Sequence, residues 1–207
     1  MKHEWKKTEK KFYFPNVEPE KITVPKFNFY TIQGEGNPND DNFAQCVGVL
    51  FSLSYAIKMG LKTGEVPKNY NDYAVYPLEG VWDINEEAKL KMDGKLDKNS
   101  LVYKLMIRQP AFITQDFAIQ NIENTKKKKP NALLDQVKFE MIEEGSCVQM
   151  LHMGSFDNEP QSFKLMEQFA QVEQLKRKSL THREIYLSDA RKTIPERLRT
   201  ILRFQVD

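Results

Sequence analysis

From residue 26 onward, hydrophobic and polar positions alternate between two rhythms. Lys26–Gln33 has period two, with Phe27, Phe29 and Thr31 on one face and Asn28, Tyr30 and Ile32 on the other. That pattern predicts a strand. The polar stretch Gly34-Glu-Gly36-Asn-Pro38-Asn-Asp-Asp follows, rich in turn-forming residues. Phe43, Val47, Leu50, Ser54 and Ile57 then recur at helical spacing, so a helix ending near Gly60 is expected. Residues 72–84 and 101–108 read as strands joined by the charged turn 85–99. A helix over 112–129 follows Pro110, with Thr114 as its cap. Residues 134–143 and 146–153 read as a hairpin turning at Gly145. A Gly154 turn, a helix over about 161–175 and the strand His182–Leu187 follow.

This order repeats. Gly34 matches Gly154 and Phe43 matches Phe163, both at an offset of 120. Met106-Ile-Arg108 resembles Ile201-Leu-Arg203 at an offset of 95. Shared order with matched positions indicates duplication. The expected fold is α+β, built from duplicated strand–helix–strand–strand units. They would form an antiparallel sheet with helices on one side and a ligand cleft at the pseudo-twofold seam. The repeats cover about 26–110 and 134–207, with the helix 112–129 as connector. Residues 1–25 carry Pro15, Pro19 and Pro25 and read as an extended leader anchored by Trp5, Phe12, Tyr13 and Phe14.

Composition narrows the picture. The 207 residues are 40% hydrophobic, enough for a core. Lys+Arg 31 against Asp+Glu 29 leaves a net charge of +2, which gives no footprint for nucleic acid or a membrane surface. Cys46 and Cys147 sit in apolar stretches, consistent with a reducing cytoplasm. No stretch is apolar for the length of a bilayer, and the N-terminal segment lacks a secretory h-region. Neither cysteine has a histidine or second cysteine at ligand spacing, so no metal is expected. Gly34-Glu-Gly36 lacks the third glycine of a dinucleotide fingerprint and the lysine of a phosphate loop, so no cofactor is expected. A monomer or weak homodimer is the expected state.

Several segments resemble the GyrI-like small-molecule-binding family, in its stand-alone branch. They are Leu53-Ser-Tyr55-Ala-Ile-Lys58, Pro77-Leu-Glu-Gly80-Val-Trp82, Met106-Ile-Arg-Gln-Pro110, Gly145-Ser-Cys-Val-Gln149-Met and Thr181-His-Arg-Glu184-Ile-Tyr186-Leu-Ser-Asp189 with the residues to Arg203. Departures are Asp83, where many members are aromatic, Tyr103 in place of Trp, and Ala190 in place of Pro. The resemblance implies flat aromatic, often cationic ligands held by aromatic side chains and a buried Glu. In some stand-alone members it implies hydrolysis of cyclopropane-bearing genotoxic compounds. The alternative is a non-catalytic sensor or sink for planar cationic drugs.

On the strand His182–Leu187, Glu184 and Tyr186 share a face opposite Ile185 and Leu187. The pattern by itself fits a solvated Glu184; the resemblance makes it a buried base or counter-charge. Tyr55 reads as a core tyrosine or, through the resemblance, as an assistant in catalysis. Trp82, Tyr103, Phe112 and Tyr186 are sheet and turn aromatics that the resemblance would make ligand walls. His152 is a lone histidine, structural or part of the ligand site.

Overall fold

The computed structural model describes residues 2–60, 64, 66–91 and 97–207. The chain is α+β, with an eight-stranded antiparallel sheet and helices. The strands are β1 (Glu20–Val24), β2 (Phe27–Glu35), β3 (Leu78–Ile84), β4 (Leu101–Gln109), β5 (Lys138–Ile142), β6 (Gly145–Met153), β7 (His182–Tyr186) and β8 (Arg199–Gln205). The long helices are α1 (Asp41–Lys58), α2 (Gln115–Lys128) and α3 (Glu159–Val172). Two compact units arise. The first holds Phe27–Leu78 and Trp82–Ile142; the second holds Glu4–Lys26, Glu79–Val81 and Glu143–Asp207. Each unit therefore takes a strand from the other half of the sequence: β5 joins the first and β1 the second.

Strand pairing confirms the repeat. In the first unit Phe29 pairs with Arg108 on β4 and with Glu140 on β5. In the second Gln149 pairs with Arg203 on β8 and with Glu20 on β1. The offset of 120 carries Phe29 to Gln149 and Glu20 to Glu140, and the offset of 95 carries Arg108 to Arg203. Because a slip of one residue would exchange the two faces of a strand, agreement along whole ladders shows that both copies place equivalent residues alike.

Several expectations are corrected. The Pro-rich leader is not extended throughout: it makes short helical turns at Trp5–Thr8 and Lys10–Tyr13, and Ile22 and Val24 are buried on β1. The hairpin at Gly145 is absent, because β5 pairs with β2 while β6 pairs with β1 and β8. Both strands find partners distant in sequence. The expected strand over 72–84 shortens to β3, and a helix at Glu86–Leu90 interrupts the expected turn. Residues 92–96 of that turn lie outside the described residues. The Thr114 cap is present, its Oγ1 accepting from the Phe117 N–H at 3.3 Å.

In the second unit the two sheet faces differ. On one, Met150 and Leu202 pack with Met166 and Ala170 of α3. On the other, Arg183 and Arg203 are paired residues of β7 and β8 and are both buried. Two opposed like charges are unfavourable by themselves. Glu144 neutralises them: Arg203 Nη1 donates to its Oε2 at 2.8 Å, and Arg183 Nε approaches Oε1 at 3.1 Å, an ion-pair distance with an angle too poor for a hydrogen bond. Arg183 Nη1 also donates to Glu79 Oε2 at 2.8 Å. The leader closes this face. Arg203 donates to the Phe12 carbonyl at 3.1 Å, Gln149 donates to the Lys11 carbonyl at 3.0 Å, and the Tyr13 hydroxyl donates to Glu79 at 3.3 Å. Burial by itself would raise the Glu144 carboxyl, but the two guanidiniums outweigh it and hold the group below the usual carboxylate range.

A depressed carboxyl contributes stability above its unfolded value and loses it as the pH falls through the folded one. Glu144→Ala, which leaves two guanidiniums buried, is expected to cost about 3–5 kcal/mol at neutral pH. Urea denaturation checks this, and the difference from wild type should shrink as the pH falls below the ordinary carboxylate range.

Candidate functional site

Alternation along β7 separates two kinds of chemistry. Arg183 belongs to the buried ion network, while His182, Glu184 and Tyr186 project to the opposite face. Glu184 pairs across the ladder with Leu202, a core residue beneath α3, so its carboxylate lies on the helix-covered side and is 9% exposed. His182 Nε2 donates to Glu184 Oε1 at 3.1 Å. Among the described residues this is the only basic group paired with Glu184, since the nearby arginines of β7 and β8 are committed elsewhere.

The second carboxyl of the site is Glu159, the first residue of α3, which is 7% exposed. Its Oε1 has no hydrogen-bond partner among the described residues. A helix N-terminus favours an anion by about 1–2 kcal/mol. At Glu159 burial and the neighbouring Glu184 charge oppose that preference. Burial, then the Glu184 charge, then Asp157 push Glu159 up to about 10. Sequence reading passed over Glu159. That reading placed it in the polar turn after Gly154, with the helix beginning at about 161, whereas the helix begins at Glu159 itself.

Aromatic groups border the acids. The Phe163 ring meets the His182 ring edge-on at 4.7 Å, and Arg177 lies 5.6 Å from the Phe163 centroid. Tyr186 packs edge-on against Phe156 at 6.0 Å. His152 is held by protein at both ring nitrogens. Nε2 donates to the Ser155 carbonyl at 3.0 Å and Nδ1 accepts from the Ser162 hydroxyl at 2.8 Å. The ring is buried and links β6 to α3.

The first unit brings together Trp82 and Tyr103, with ring centroids 5.3 Å apart. Phe43 covers both, at 5.8 Å from Trp82 and 5.2 Å from Tyr103. Phe43 and Phe163 are repeat equivalents, yet one packs on an aromatic platform and the other on the histidine beside Glu184. Tyr103 lies over Gly34, its partner on β2, where an added Cβ would meet the ring at 2.5 Å. Phe112 does not join this cluster; it packs with Tyr70 and Tyr73 at 5.6 and 5.9 Å. Tyr55 is exposed on α1, its ring 6.2 Å from Phe51.

A family profile described as the GyrI-like small molecule binding domain matches residues 17–207. A Listeria innocua protein described as a hydrolase is 37% identical, with a TM-score of 0.88, and the match covers 99% of this chain and 100% of that one. An uncharacterized conserved protein from Listeria innocua is 39% identical, with a TM-score of 0.89 and the same coverage. The EcmrR C-terminal domain shares the fold at 10% identity, with a TM-score of 0.53 over 92% of this chain and 97% of that domain. None of the curated proteins matches the chain.

Gly34→Ala is expected to push the Tyr103 ring from its seat and destabilise the chain by about 1–3 kcal/mol. Displacement of the Trp82 indole N–H resonance would report the disturbed platform. Glu159 carries the opposite sign of linkage from Glu144. Its raised value means the folded chain holds a proton that the unfolded chain releases, so its contribution worsens as the pH rises from about 4.5 towards 10. Glu159→Gln should therefore raise Tm, by several degrees at pH 8 and less at pH 5, as thermal unfolding across that range would show.

Proposed function

Because the chain belongs to the GyrI-like small-molecule-binding domain family, we propose that it takes up flat, hydrophobic or aromatic molecules and hydrolyses those bearing a strained cyclopropane. Its small-molecule character follows from the family; the reaction rests on Glu184. The observation that carries the reading is a buried carboxylate held by one histidine and bordered by aromatic rings. Such a group has lost most of its hydration and is held in place to take a proton from a bound water molecule. The hydrolase description of the Listeria protein, 37% identical across its whole length, supports the same reaction class.

In this reading Glu184 takes one proton from a water molecule as the water oxygen bonds to a cyclopropane carbon. The ring C–C bond breaks, and its electron pair passes into a conjugated carbonyl on the substrate. The carbonyl oxygen takes a proton from solvent, so the net change is addition of one water. The resemblance gives Tyr55 the role of positioning the carbonyl or the water, and its exposed hydroxyl suits contact with a ligand. Tyr186, on the same strand face as Glu184, would supply stacking surface, and Trp82 and Tyr103 would do so within the first unit, where Phe112 stands apart from them.

The test is incubation of the pure protein with a cyclopropane-bearing DNA alkylator, followed by mass spectrometry for a product heavier by one water. Glu184→Gln should lower turnover by about 10²–10⁴-fold, the usual contribution of a positioned general base. Equal conversion by wild type and variant removes Glu184 from the reaction. Binding without turnover, weakened in Glu184→Gln, would instead establish a sensor or sink for planar cations, with Glu184 as counter-charge.

A further inference from the structure

In the first unit a cavity of about 220 Å³ opens beside β2, β4 and β5, lined by Thr31, Gln33, Lys104, Gln136, Lys138 and Glu140. One water needs roughly 10–15 Å³ and a drug-sized ligand roughly 300 Å³ or more, so the cavity suits a molecule between these sizes. Strand register assembles the lining. Thr31 pairs with Lys138 on β5, and Gln33 pairs with Lys104 on β4. Alternate positions share a face, so Thr31 and Gln33 of β2 stand beside Lys138 and Glu140 of β5. Thr31 is 2% exposed, and its hydroxyl donates to Glu140 Oε2 at 2.5 Å. Lys104 Nζ donates to the same oxygen at 3.3 Å. The Thr31 hydroxyl first, and the two lysines after it, hold the Glu140 carboxyl below the usual carboxylate range, so it is ionised at neutral pH. Two lysines against one carboxylate leave a surplus of one positive charge.

A structural ion pair accounts for Lys104, Glu140 and Thr31, but not for the rest of the lining. Among the described residues the side chains of Lys138, Gln33 and Gln136 have no hydrogen bond or ion pair. The second copy shows that the fold does not require such a lining. The offset of 120 carries Thr31 to Leu151, Gln33 to Met153, Gln136 to Asn16 and Lys138 to Glu18. There the Asn16 carbonyl accepts from the Leu151 N–H at 2.8 Å, so the leader lies against β6. In the first copy the equivalent stretch, Ala132–Gln136, is a 3₁₀ turn, and the cavity opens between it and β2. Where the second copy has two apolar residues and a carboxylate, the first has a hydroxyl, an amide and an ammonium.

We propose that this cavity is a second binding site, for a small monocarboxylate: Lys138 supplies the counter-charge, the amides of Gln33 and Gln136 donate to the carboxylate, and the Thr31–Glu140–Lys104 group forms a fixed wall. The surplus of one positive charge matches one carboxylate. A phosphate ester carries roughly −1.5 to −2 at pH 7 and would leave negative charge uncompensated beside Glu140. None of these residues belongs to the Glu184 site, so the proposal stands apart from the ring-opening reaction.

The experiment is an amide 1H–15N NMR titration of the full chain at pH 7 and constant ionic strength, with acetate, inorganic phosphate and tetramethylammonium as probes. Acetate should shift the Thr31, Gln33 and Lys138 signals saturably, with a Kd of roughly 1–10 mM, as expected of so small a ligand. Lys138→Gln changes an exposed side chain and should weaken acetate about tenfold, the loss of one charge-assisted hydrogen bond. Lys127→Gln removes the same charge from the exposed end of α2 and should leave acetate binding unchanged. Phosphate should bind more weakly than acetate, and tetramethylammonium should leave the three signals in place. No saturable shift with acetate, or equal losses in the two lysine variants, would overturn the proposal. Tighter binding of phosphate than of acetate would overturn it too. If Lys138→Gln fails to fold, Gln33→Leu takes its place: it should also weaken acetate, and unchanged binding there counts against the site.

Discussion

Arg183 and Arg203 face each other across β7 and β8, and Glu144 stands between them. Two guanidiniums cannot be buried side by side without that carboxylate. The rest of the second unit is arranged around it. Glu79 takes the remaining charge of Arg183, and Gln149 binds Arg203 and reaches the leader. The leader then shields the whole group from water. A segment that looks peripheral in a linear sequence is in this way part of the unit's interior.

The same arrangement shapes the candidate site on the other side of the sheet. Strand alternation sends Arg183 one way and Glu184 the other, so the strongest nearby cations are unavailable to the acids beneath α3. Glu184 is left with a histidine and a second carboxyl. Burial and the Glu184 charge push the Glu159 carboxyl up to about 10. The surroundings of Glu184 are therefore defined as much by where the arginines were spent as by its own neighbours.

Divergence between the copies is concentrated at equivalent positions. Arg203 is neutralised by Glu144, whereas its equivalent Arg108 lies 3.3 Å from the Phe27 centroid and 4.6 Å from that of Tyr76. Phe163 borders the acid pair, whereas Phe43 covers Trp82 and Tyr103. Gly34 admits the Tyr103 ring, while Gly154 turns the chain at φ 128°. The backbone ladders are conserved between the copies because register is set by hydrogen bonds every residue can make. Side chains were free to diverge, giving one copy an aromatic platform and the other a carboxyl dyad.

The sequence by itself determined the long helices, most of the strands and the duplication. Period-two alternation in Phe27–Glu35 and His182–Tyr186, helical spacing in Asp41–Lys58 and the Thr114 cap are local signals, and local geometry answers to them directly. The offsets of 120 and 95 also relate the strand ladders of the two units. Tertiary structure decided which charges were buried and with whom. Glu144 meets Arg203 across 59 residues and Arg183 meets Glu79 across 104. It also decided that β5 and β6 take partners other than each other. Each depends on partners distant in the chain, and the free energy of a buried charge is set by those partners, not by its sequence neighbours.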